Sequence, residues 1–251
     1  MLKVRVIPTL LYRDGGLVKG TSFDSWRPVG SAMQSIRVYN LREVDELVLV
    51  DITATREQRD PDFDAIDGLA DYCFMPLTVG GGVRSVAHVR RLLQVGADKV
   101  ALGTAAVENP TLIREIADRF GSQCVVVSID AKRVGDGHRV FTHSGTQATE
   151  LTVGEFARKV EQMGAGEILV TSIERDGTMT GYDLDLIREV SDAVSIPVIA
   201  GGGAGSYEHM LAAIKDGGAS AVAAAAMFHF TQHTPREAKQ FLASHGVPVR
   251  L

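Results

Sequence analysis

An internal repeat limits the folds open to this chain more than any other feature of its sequence. The segment LTVGGGVRS, which starts at Leu77, returns as VIAGGGAGS at Val198, 121 positions later. GADKVALGTAAV and GGASAVAAAAMF are separated by the same 121 positions, as are VDELVLVDIT and AGEILVTSIE. VIPTLL falls opposite VVVSID at an offset of 119, which makes Leu11 the counterpart of Asp130. The repeat predicts two similar halves, about 1–121 and 122–251.

Short apolar runs rich in β-branched residues alternate with amphipathic segments along the chain. Segments such as VAHVRRLLQVGA and PTLIREIADRFG carry apolar residues at helical spacing and reach a glycine near their ends. Strands that are apolar along their whole length are typical of a parallel sheet covered by helices. The predicted strands are 4–11, 46–52, 75–79, 99–102, 124–129, 167–172, 197–200 and 221–225.

Eight strand–helix units in 251 residues match the size of a (β/α)8 barrel. The predicted fold class is therefore α/β, a TIM barrel built from two half-barrels. An open, doubly wound sheet is the alternative. No linker-like or low-complexity segment divides the chain, so one domain over residues 1–251 is expected.

Composition and charge narrow the expected partners and location. A hydrophobic content of 45% with 23% charged residues is typical of globular proteins. The N-terminal MLKVRVIPTL lacks the apolar run of a signal peptide, and no stretch approaches the ~20 apolar residues of a membrane span. Cys73 and Cys124 are expected to be reduced core thiols of a cytoplasmic protein. The net charge of −5 argues against nucleic acid as a partner.

Two glycine triplets, 80–82 and 201–203, each follow a strand and precede a helix. Glycine lets the backbone approach a phosphate closely, and a helix N-terminus supplies free N–H donors. GTA from Gly103 and AAA from Ala224 are predicted to form the opposite walls of these two turns. Two copies in symmetric places favour a ligand with a phosphate at each end. Tight strand-to-helix turns without a ligand are the alternative.

Polar residues at the carboxyl ends of barrel strands face the active site in (β/α)8 enzymes. Asp51 has an alternative role as a cap of the helix that follows it. Lys19 is predicted in a long loop after the first strand, where it either closes over an anion or is simply solvated. The predicted strand-end residues are Asp51, Thr78, Asp130, Thr171, Ser172 and Asp176.

His229 and His233 have the i,i+4 spacing of metal ligands on a helix. No third Cys, His or Glu lies close to them in the sequence, so neither a metal nor another cofactor is expected. The aromatic FHF that contains His229 is predicted to pack in the outer layer of the barrel.

Charged residues begin or precede four of the predicted strands and are predicted to point into the opposite end of the barrel. They are Arg5, Glu46, Lys99 and Glu167. Ion pairs are costly in dry surroundings, so a charged ring needs mutual pairing or access to water. The residues alone leave open the alternative of four unrelated surface charges.

Several longer segments carry a family resemblance: DKVALGTAAVENP, RFGSQCVVVSIDAKR, GAGEILVTSIERDGTMTGYDL and SIPVIAGGGAG. Over essentially its whole length the chain resembles the cyclase subunits of imidazole glycerol phosphate synthase, the HisF family of histidine biosynthesis. The resemblance implies that ammonia enters from a separate glutaminase (HisH-like) subunit at the N-terminal face of the strands. It passes through the barrel to a bis-phosphorylated substrate. The resemblance assigns Arg5, Glu46, Lys99 and Glu167 to an ammonia gate and Asp98 to the glutaminase interface.

The resemblance also implies a catalytic pair of aspartates at the ends of the first and fifth strands. Asp130 is present, but Leu11 stands at the position of its partner. Leucine cannot exchange a proton, and general acid–base catalysis contributes roughly 10²–10⁴ in rate. Gly103, Gly201 and Ala226 replace side-chain donors of the family's phosphate sites. The family's phosphate-site and substrate residues that remain are Lys19, Asp51, Thr78, Gly82, Thr104, Asp176, Gly177, Gly202 and Gly203.

The departures cluster at the reaction face, whereas the ammonia-receiving face matches the family throughout. In this pattern the chain resembles divergent paralogues of the family that are linked to bacterial surface-polysaccharide genes. Together with a glutaminase, those paralogues supply ammonia to a sugar amidotransferase. The amidotransferase converts an acetamido group to an acetamidino group. The expected function is a HisF-like subunit of such a complex, with its own cyclase–lyase activity lost or impaired. The alternatives are a working cyclase in which water or another carboxylate compensates for Leu11, and a phosphosugar isomerase of the related half-barrel family.

Overall fold

The computed structural model describes residues 3–251, and its eight parallel strands close into a barrel. The first strand pairs with both the second and the last barrel strand, which excludes an open sheet and confirms the predicted TIM barrel. Numbered in chain order with the hairpin strands included, the barrel strands are β1 (Arg5–Arg13), β4 (Leu47–Asp51), β5 (Leu77–Gly80), β6 (Lys99–Leu102), β7 (Val125–Val134), β10 (Glu167–Ser172), β11 (Val198–Gly201) and β12 (Ala221–Ala224).

Each half of the barrel extends its first strand into an antiparallel hairpin. β1 continues into β2 (Gly16–Thr21) and β3 (Asp24–Gly30), and β7 continues into β8 (Gly137–Thr142) and β9 (Gln147–Thr152). The sequence predicts a long loop after β1. The chain forms the β2–β3 hairpin there, so the loop prediction is wrong. The two matching hairpins agree with the two-fold repeat.

Ten α-helices within residues 3–251 surround the barrel. They are α1 (Ala32–Leu41), α2 (Phe63–Ala70), α3 (Val86–Gln94), α4 (Thr104–Glu108), α5 (Thr111–Phe120), α6 (Val153–Gln162), α7 (Leu184–Ser191), α8 (Tyr207–Lys215), α9 (Ala226–Phe230) and α10 (Pro235–Ser244). Among these helices, none combines the length and apolar character needed to cross a membrane.

The repeat is also visible in how two equivalent helices begin. Ser85 caps α3 by accepting a hydrogen bond from the backbone N–H of His88 at 3.2 Å. Ser206 caps α8 by accepting one from His209 at 3.3 Å. A serine at this position satisfies an N–H that the helix itself leaves unpaired. The glycine triplets therefore lead into helices with identical starts.

The hydrophobic core has two parts because alternate residues of each barrel strand face opposite sides. Val6 and Leu10 belong to the large cluster shared with the helices. A smaller cluster fills the barrel interior and consists of Ile7, Val48, Ala101, Val126, Leu169, Ile199, Ala221 and Ala223. This interior cluster separates the two ends of the barrel by an apolar layer.

Candidate functional site

A pocket opens at the carboxyl ends of the barrel strands, above the apolar interior. Leu11 of β1 and Asp130 of β7 both line it, so the two positions that the repeat equates lie in one cavity. The other predicted residues that line this pocket are Lys19, Asp51, Thr104, Thr171, Asp176, Gly177, Gly202 and Gly203. The predicted strand-end residue Ser172 is buried and is not part of the lining.

Asp130 lies in the middle of β7, which extends beyond the barrel into a hairpin, and its carboxyl group lines this pocket. Its removal from water and the neighbouring Asp176 carboxylate raise its pKa to about 7, because both disfavour the charged form. A carboxyl group that titrates near neutral pH can both donate and accept a proton under physiological conditions. Leu11, in contrast, contributes only hydrocarbon to the pocket wall.

Lys19 and Asp176 form a second titratable unit beside Asp130. The Lys19 side chain is almost fully enclosed, with 2% of its surface exposed, and its Nζ donates to the backbone oxygen of Thr9 at 2.9 Å. Burial lowers the pKa of Lys19 and raises the pKa of Asp176, and each charge partly opposes the shift of the other. Asp176 therefore supplies a second carboxyl group close to Asp130.

The position of Lys19 differs from the one predicted. Lys19 lies in β2, where Leu11 pairs with Val18, rather than in a flexible loop. The hairpin holds the lysine against the pocket because backbone pairing with β1 restricts it. Lys19 is therefore neither solvated nor part of a loop, as the two predicted alternatives had it.

Asp51 lines the pocket, but its carboxylate binds the turn that follows β4. Its Oδ1 accepts hydrogen bonds from the backbone N–H groups of Thr53 and Ala54, both at 3.0 Å. Arg59 approaches Oδ2 at 3.2 Å, a partner that the sequence did not predict. Asp51 therefore caps a turn and not a helix, because the N-cap of the following helix α2 is Asp62, and the alternative of a helix cap is wrong.

The predicted phosphate glycines have backbone conformations that require glycine. Gly177, Gly202 and Gly203 have φ values of 73°, 81° and 106°, which side chains rarely adopt. A Cβ atom on Gly202 would lie 2.6 Å from the backbone oxygen of Ser172. Close backbone packing is therefore sufficient to explain these glycines, and their predicted contact with phosphate stays a prediction.

The first glycine triplet lies between the main pocket, which Gly80 and Gly81 line, and a neighbouring cavity that Gly82 borders. Gly82 and Thr104 line this cavity together with Arg84 and His143. The N–H of Gly82 donates to the hydroxyl of Thr55 at 3.3 Å, and the hydroxyl of Thr104 accepts from the N–H of His143 at 2.8 Å. The N–H of Gly82 thus already donates to a protein partner, whereas the Thr104 hydroxyl acts as an acceptor in its contact with His143.

Four charged side chains form a closed ring at the opposite end of the barrel. Arg5 contacts Glu46 at 2.6 Å and Glu167 at 3.1 Å. Lys99 contacts Glu46 at 3.0 Å and Glu167 at 3.2 Å. Each cation therefore bridges both carboxylates, and the four residues are mutual partners rather than unrelated surface charges. Their assignment as an ammonia gate stays a prediction.

Thr78 belongs to this ring and not to the reaction face, so its predicted placement is wrong. It is the second residue of β5, which spans Leu77–Gly80. Its hydroxyl donates to Oε1 of Glu46 at 2.8 Å. The sequence placed the strand at 75–79 and so moved Thr78 to the wrong end.

Asp98, the predicted glutaminase-interface residue, is exposed next to the ring residue Lys99. Its Oδ2 accepts a hydrogen bond from the backbone N–H of Leu77 at 2.8 Å. Asp98 therefore joins the starts of β5 and β6 within this chain, and its role toward a partner stays a prediction.

The two histidines with metal-ligand spacing do not share a helix, because α9 ends at Phe230. His229 packs edge-on against Tyr39 with ring centroids 6.4 Å apart, and His233 contacts the hydroxyl of Thr231 at 2.7 Å. In residues 3–251 no group of three His, Cys, Asp or Glu side chains is arranged to hold a metal ion.

Both cysteines, Cys73 and Cys124, are half-buried and free, and burial raises the pKa of each thiol. A thiol with a raised pKa is less reactive at neutral pH, because the thiolate is the reactive form. Neither cysteine lines the pocket.

Several pocket residues were not predicted from the sequence. Ser128 lies two positions before Asp130 on the same strand and lines the pocket, so strand alternation was a usable signal for it. Phe23, Trp26 and Ser144 reach the pocket from the β2–β3 and β8–β9 hairpins. No local pattern identifies them, because their position depends on how each hairpin folds over the barrel.

The family model described as histidine biosynthesis protein matches residues 5–234. The chain belongs to this family. The matched range of the histidine biosynthesis family includes all eight barrel strands, the charged ring and the pocket. Membership supports a HisF-like synthase function in general terms, and α10 lies beyond the matched range.

Proposed function

We propose that this protein is the synthase subunit of a glutamine amidotransferase complex, which receives ammonia from a glutaminase subunit and conducts it through the barrel. The closed ring of Arg5, Glu46, Lys99 and Glu167 at one end carries this proposal. The apolar interior cluster lies between the ring and the pocket. An apolar layer admits neutral ammonia far more easily than ammonium, because a charge loses its hydration there.

Exposed apolar side chains support a partner that docks over the ring. Leu41 ends α1 and Phe74 precedes β5, and both are 86% exposed. The side-chain oxygen of Asn40 accepts a hydrogen bond from the N–H of Phe74 at 3.1 Å, which connects the two segments. Both segments lead into strands at the ring end of the barrel, and clustered exposed apolar residues mark protein interfaces.

We propose a nucleotide sugar held by a third protein as the ammonia acceptor, whose acetamido group becomes an acetamidino group in surface-polysaccharide synthesis. Leu11 supports this choice over ring closure in the barrel, because it removes one proton carrier from the pocket. Gly103, Gly201 and Ala226 also line the pocket and offer no side-chain donors to a phosphate.

A second candidate function is the complete cyclase–lyase reaction that forms imidazole glycerol phosphate. One observation favours it: Asp176 lies close enough to Asp130 to raise its pKa. In this case Asp176 with Lys19 takes over the proton transfer of the missing aspartate.

One assay separates the two candidates. The protein is supplied with free ammonium and the bis-phosphorylated aminoimidazole precursor, and imidazole glycerol phosphate is measured. A conduit shows negligible turnover in the wild type. Leu11→Asp is expected to raise it, whereas Leu11→Asn, which has similar size but exchanges no proton, is not. Robust wild-type turnover that Asp176→Asn abolishes establishes the second candidate instead.

A further inference from the structure

The charged ring lies where the first two barrel strands are not paired through their backbones. The ladder between β1 and β4 runs from Thr9↔Val48 to Tyr12↔Asp51. Arg5 lies four residues before the first of these pairs, and Glu46 lies two residues before it. The short contact between Arg5 and Glu46 therefore needs another feature that holds the two strand starts together.

Asp45 bridges this gap. Its Oδ2 accepts a hydrogen bond from the backbone N–H of Val6 at 3.0 Å, and the residue is only 8% exposed. Val6 follows Arg5 in the chain, and Asp45 precedes Glu46. The side chain thus makes, directly beside the ring, a cross-strand contact in place of the missing ladder bonds.

The second oxygen of Asp45 is held by a lysine from the C-terminal helix α10. Lys239, which is 4% exposed, places its Nζ 3.5 Å from Oδ1 of Asp45 and 3.0 Å from the backbone oxygen of Glu43. Replacing a buried ion pair with apolar residues is often neutral or stabilising, so this pair is weak support for a role in stability alone. Its contacts instead fix the segment that carries Glu46.

Asp98 makes an equivalent contact with Leu77 between the starts of β5 and β6. Asp98 precedes the ring residue Lys99, and Leu77 precedes Thr78, which itself contacts Glu46. In both cases an aspartate placed one residue before a ring residue binds a backbone N–H of the adjacent strand. The positions 121 residues later hold Gly166 and Ala219, so only one half of the barrel carries these carboxylates.

We infer that Asp45, held by Lys239, is a positioning residue that aligns Arg5 with Glu46 and so keeps the charged ring closed. The inference rests on the proposed function only where it treats the ring as the ammonia gate. Asp45 touches neither ammonia nor a substrate, and it acts through the ring.

The test measures how well the ring protects Lys99. Lys99 is acylated with acetic anhydride, and its labelling is quantified by peptide mass spectrometry relative to the exposed Lys159 in the same sample. Asp45→Ala combined with Lys239→Met removes the contact without leaving a buried unpaired lysine. The matched control is Asp45→Asn with Lys239→Met, which has the same charge but keeps a side-chain oxygen for the N–H of Val6.

We expect Lys99 labelling to rise up to roughly 5-fold in the alanine double variant, the factor that corresponds to the upper end of the range for an exposed ion pair. The asparagine control is expected to stay within about 2-fold of the wild type, because it retains the hydrogen bond. Equal labelling in the two double variants overturns the inference.

Two further measurements keep the result interpretable. If the alanine variant does not fold, hydrogen exchange of the Val6 amide is measured in the wild type. Protection of this amide supports its contact with Asp45, and fast exchange overturns it.

Glutamine hydrolysis coupled to ammonia transfer is measured separately with the glutaminase bound. Increased Lys99 labelling with unchanged coupling supports the positioning role and rejects the gate, so the two proposals fail independently.

Discussion

Thr78 donates its hydroxyl hydrogen to Glu46 at 2.8 Å, which makes a residue of the barrel wall a partner of the charged ring. Glu46 thus has three partners, because Arg5 and Lys99 bind it as well. A carboxylate in such buried surroundings depends on these contacts to stay in place. The ring is therefore sensitive to uncharged neighbours as well as to its own members.

The first prediction concerns coupling between glutamine hydrolysis and ammonia transfer. Glu46→Ala or Lys99→Ala is expected to leave glutamine hydrolysis running in the complex while ammonia incorporation falls, because the ring no longer passes ammonia into the barrel. Thr78→Val, which keeps the shape but removes the hydroxyl, should have a smaller effect in the same direction. The ratio of glutamate formed to product formed measures this. Unchanged ratios in all three variants, alongside an unaffected Lys159→Ala control, contradict a gate.

The second prediction follows from the pKa of Asp130, which is raised to about 7. A carboxyl group whose pKa is higher in the folded state than in the unfolded state makes folding less favourable as pH rises between the two values. Asp130→Asn is therefore expected to raise the melting temperature at pH 8 and to have little effect at pH 4. Thermal unfolding across this range tests the prediction, with the exposed Asp136→Asn as control. A pH-independent effect of Asp130→Asn is the contrary outcome.

The third prediction concerns His138, which joins β8 to α7. Its ring contacts Asp183 at 3.3 Å and Glu189 at 3.0 Å, and these hydrogen bonds raise its pKa. A histidine with a raised pKa contributes stability that is fully present below its unfolded pKa and is lost as pH rises through its folded pKa.

His138→Gln should therefore lower the free energy of unfolding by roughly 1.5–3 kcal/mol near pH 5.5, the range for hydrogen bonds to charged groups, and by less at pH 8.5. Urea unfolding at the two pH values measures the difference. The exposed His245→Gln serves as control. A loss that is equal at both pH values argues against an imidazolium between two carboxylates.

The fourth prediction concerns the exposed apolar residues at the ring end. Phe74→Ser is expected to weaken binding of the glutaminase roughly 10-fold or more, because large apolar side chains dominate interface energies. Val134 is also exposed but lies at the opposite end of the barrel, so Val134→Ser should bind normally. Calorimetric titration of the partner compares the two variants. Equal affinity of both variants places the partner elsewhere.

The barrel itself was predictable because its strands are buried on both faces and so appear as uninterrupted apolar runs. β6 and β10 begin and end where predicted, and the other barrel strands differ only at their ends. A shift of two residues at the start of β5 was enough to misplace Thr78, since Leu77 and Thr78 lie at the ring end of a four-residue strand. The β2–β3 hairpin was missed because β3 is largely exposed and shows no apolar alternation.

The amino-acid sequence by itself determined the closed α/β barrel, its repeat and the equivalence of Leu11 with Asp130, because apolar periodicity and internal similarity are properties of the chain. Only the tertiary structure decided which groups meet. Arg5 reaches partners 41 and 162 positions away, Glu46 and Glu167, because barrel closure brings their strand starts together. Asp176 likewise approaches Asp130 from a different loop and changes its pKa. Such distances and burial arise from packing in three dimensions, and the order of residues along a chain does not contain them.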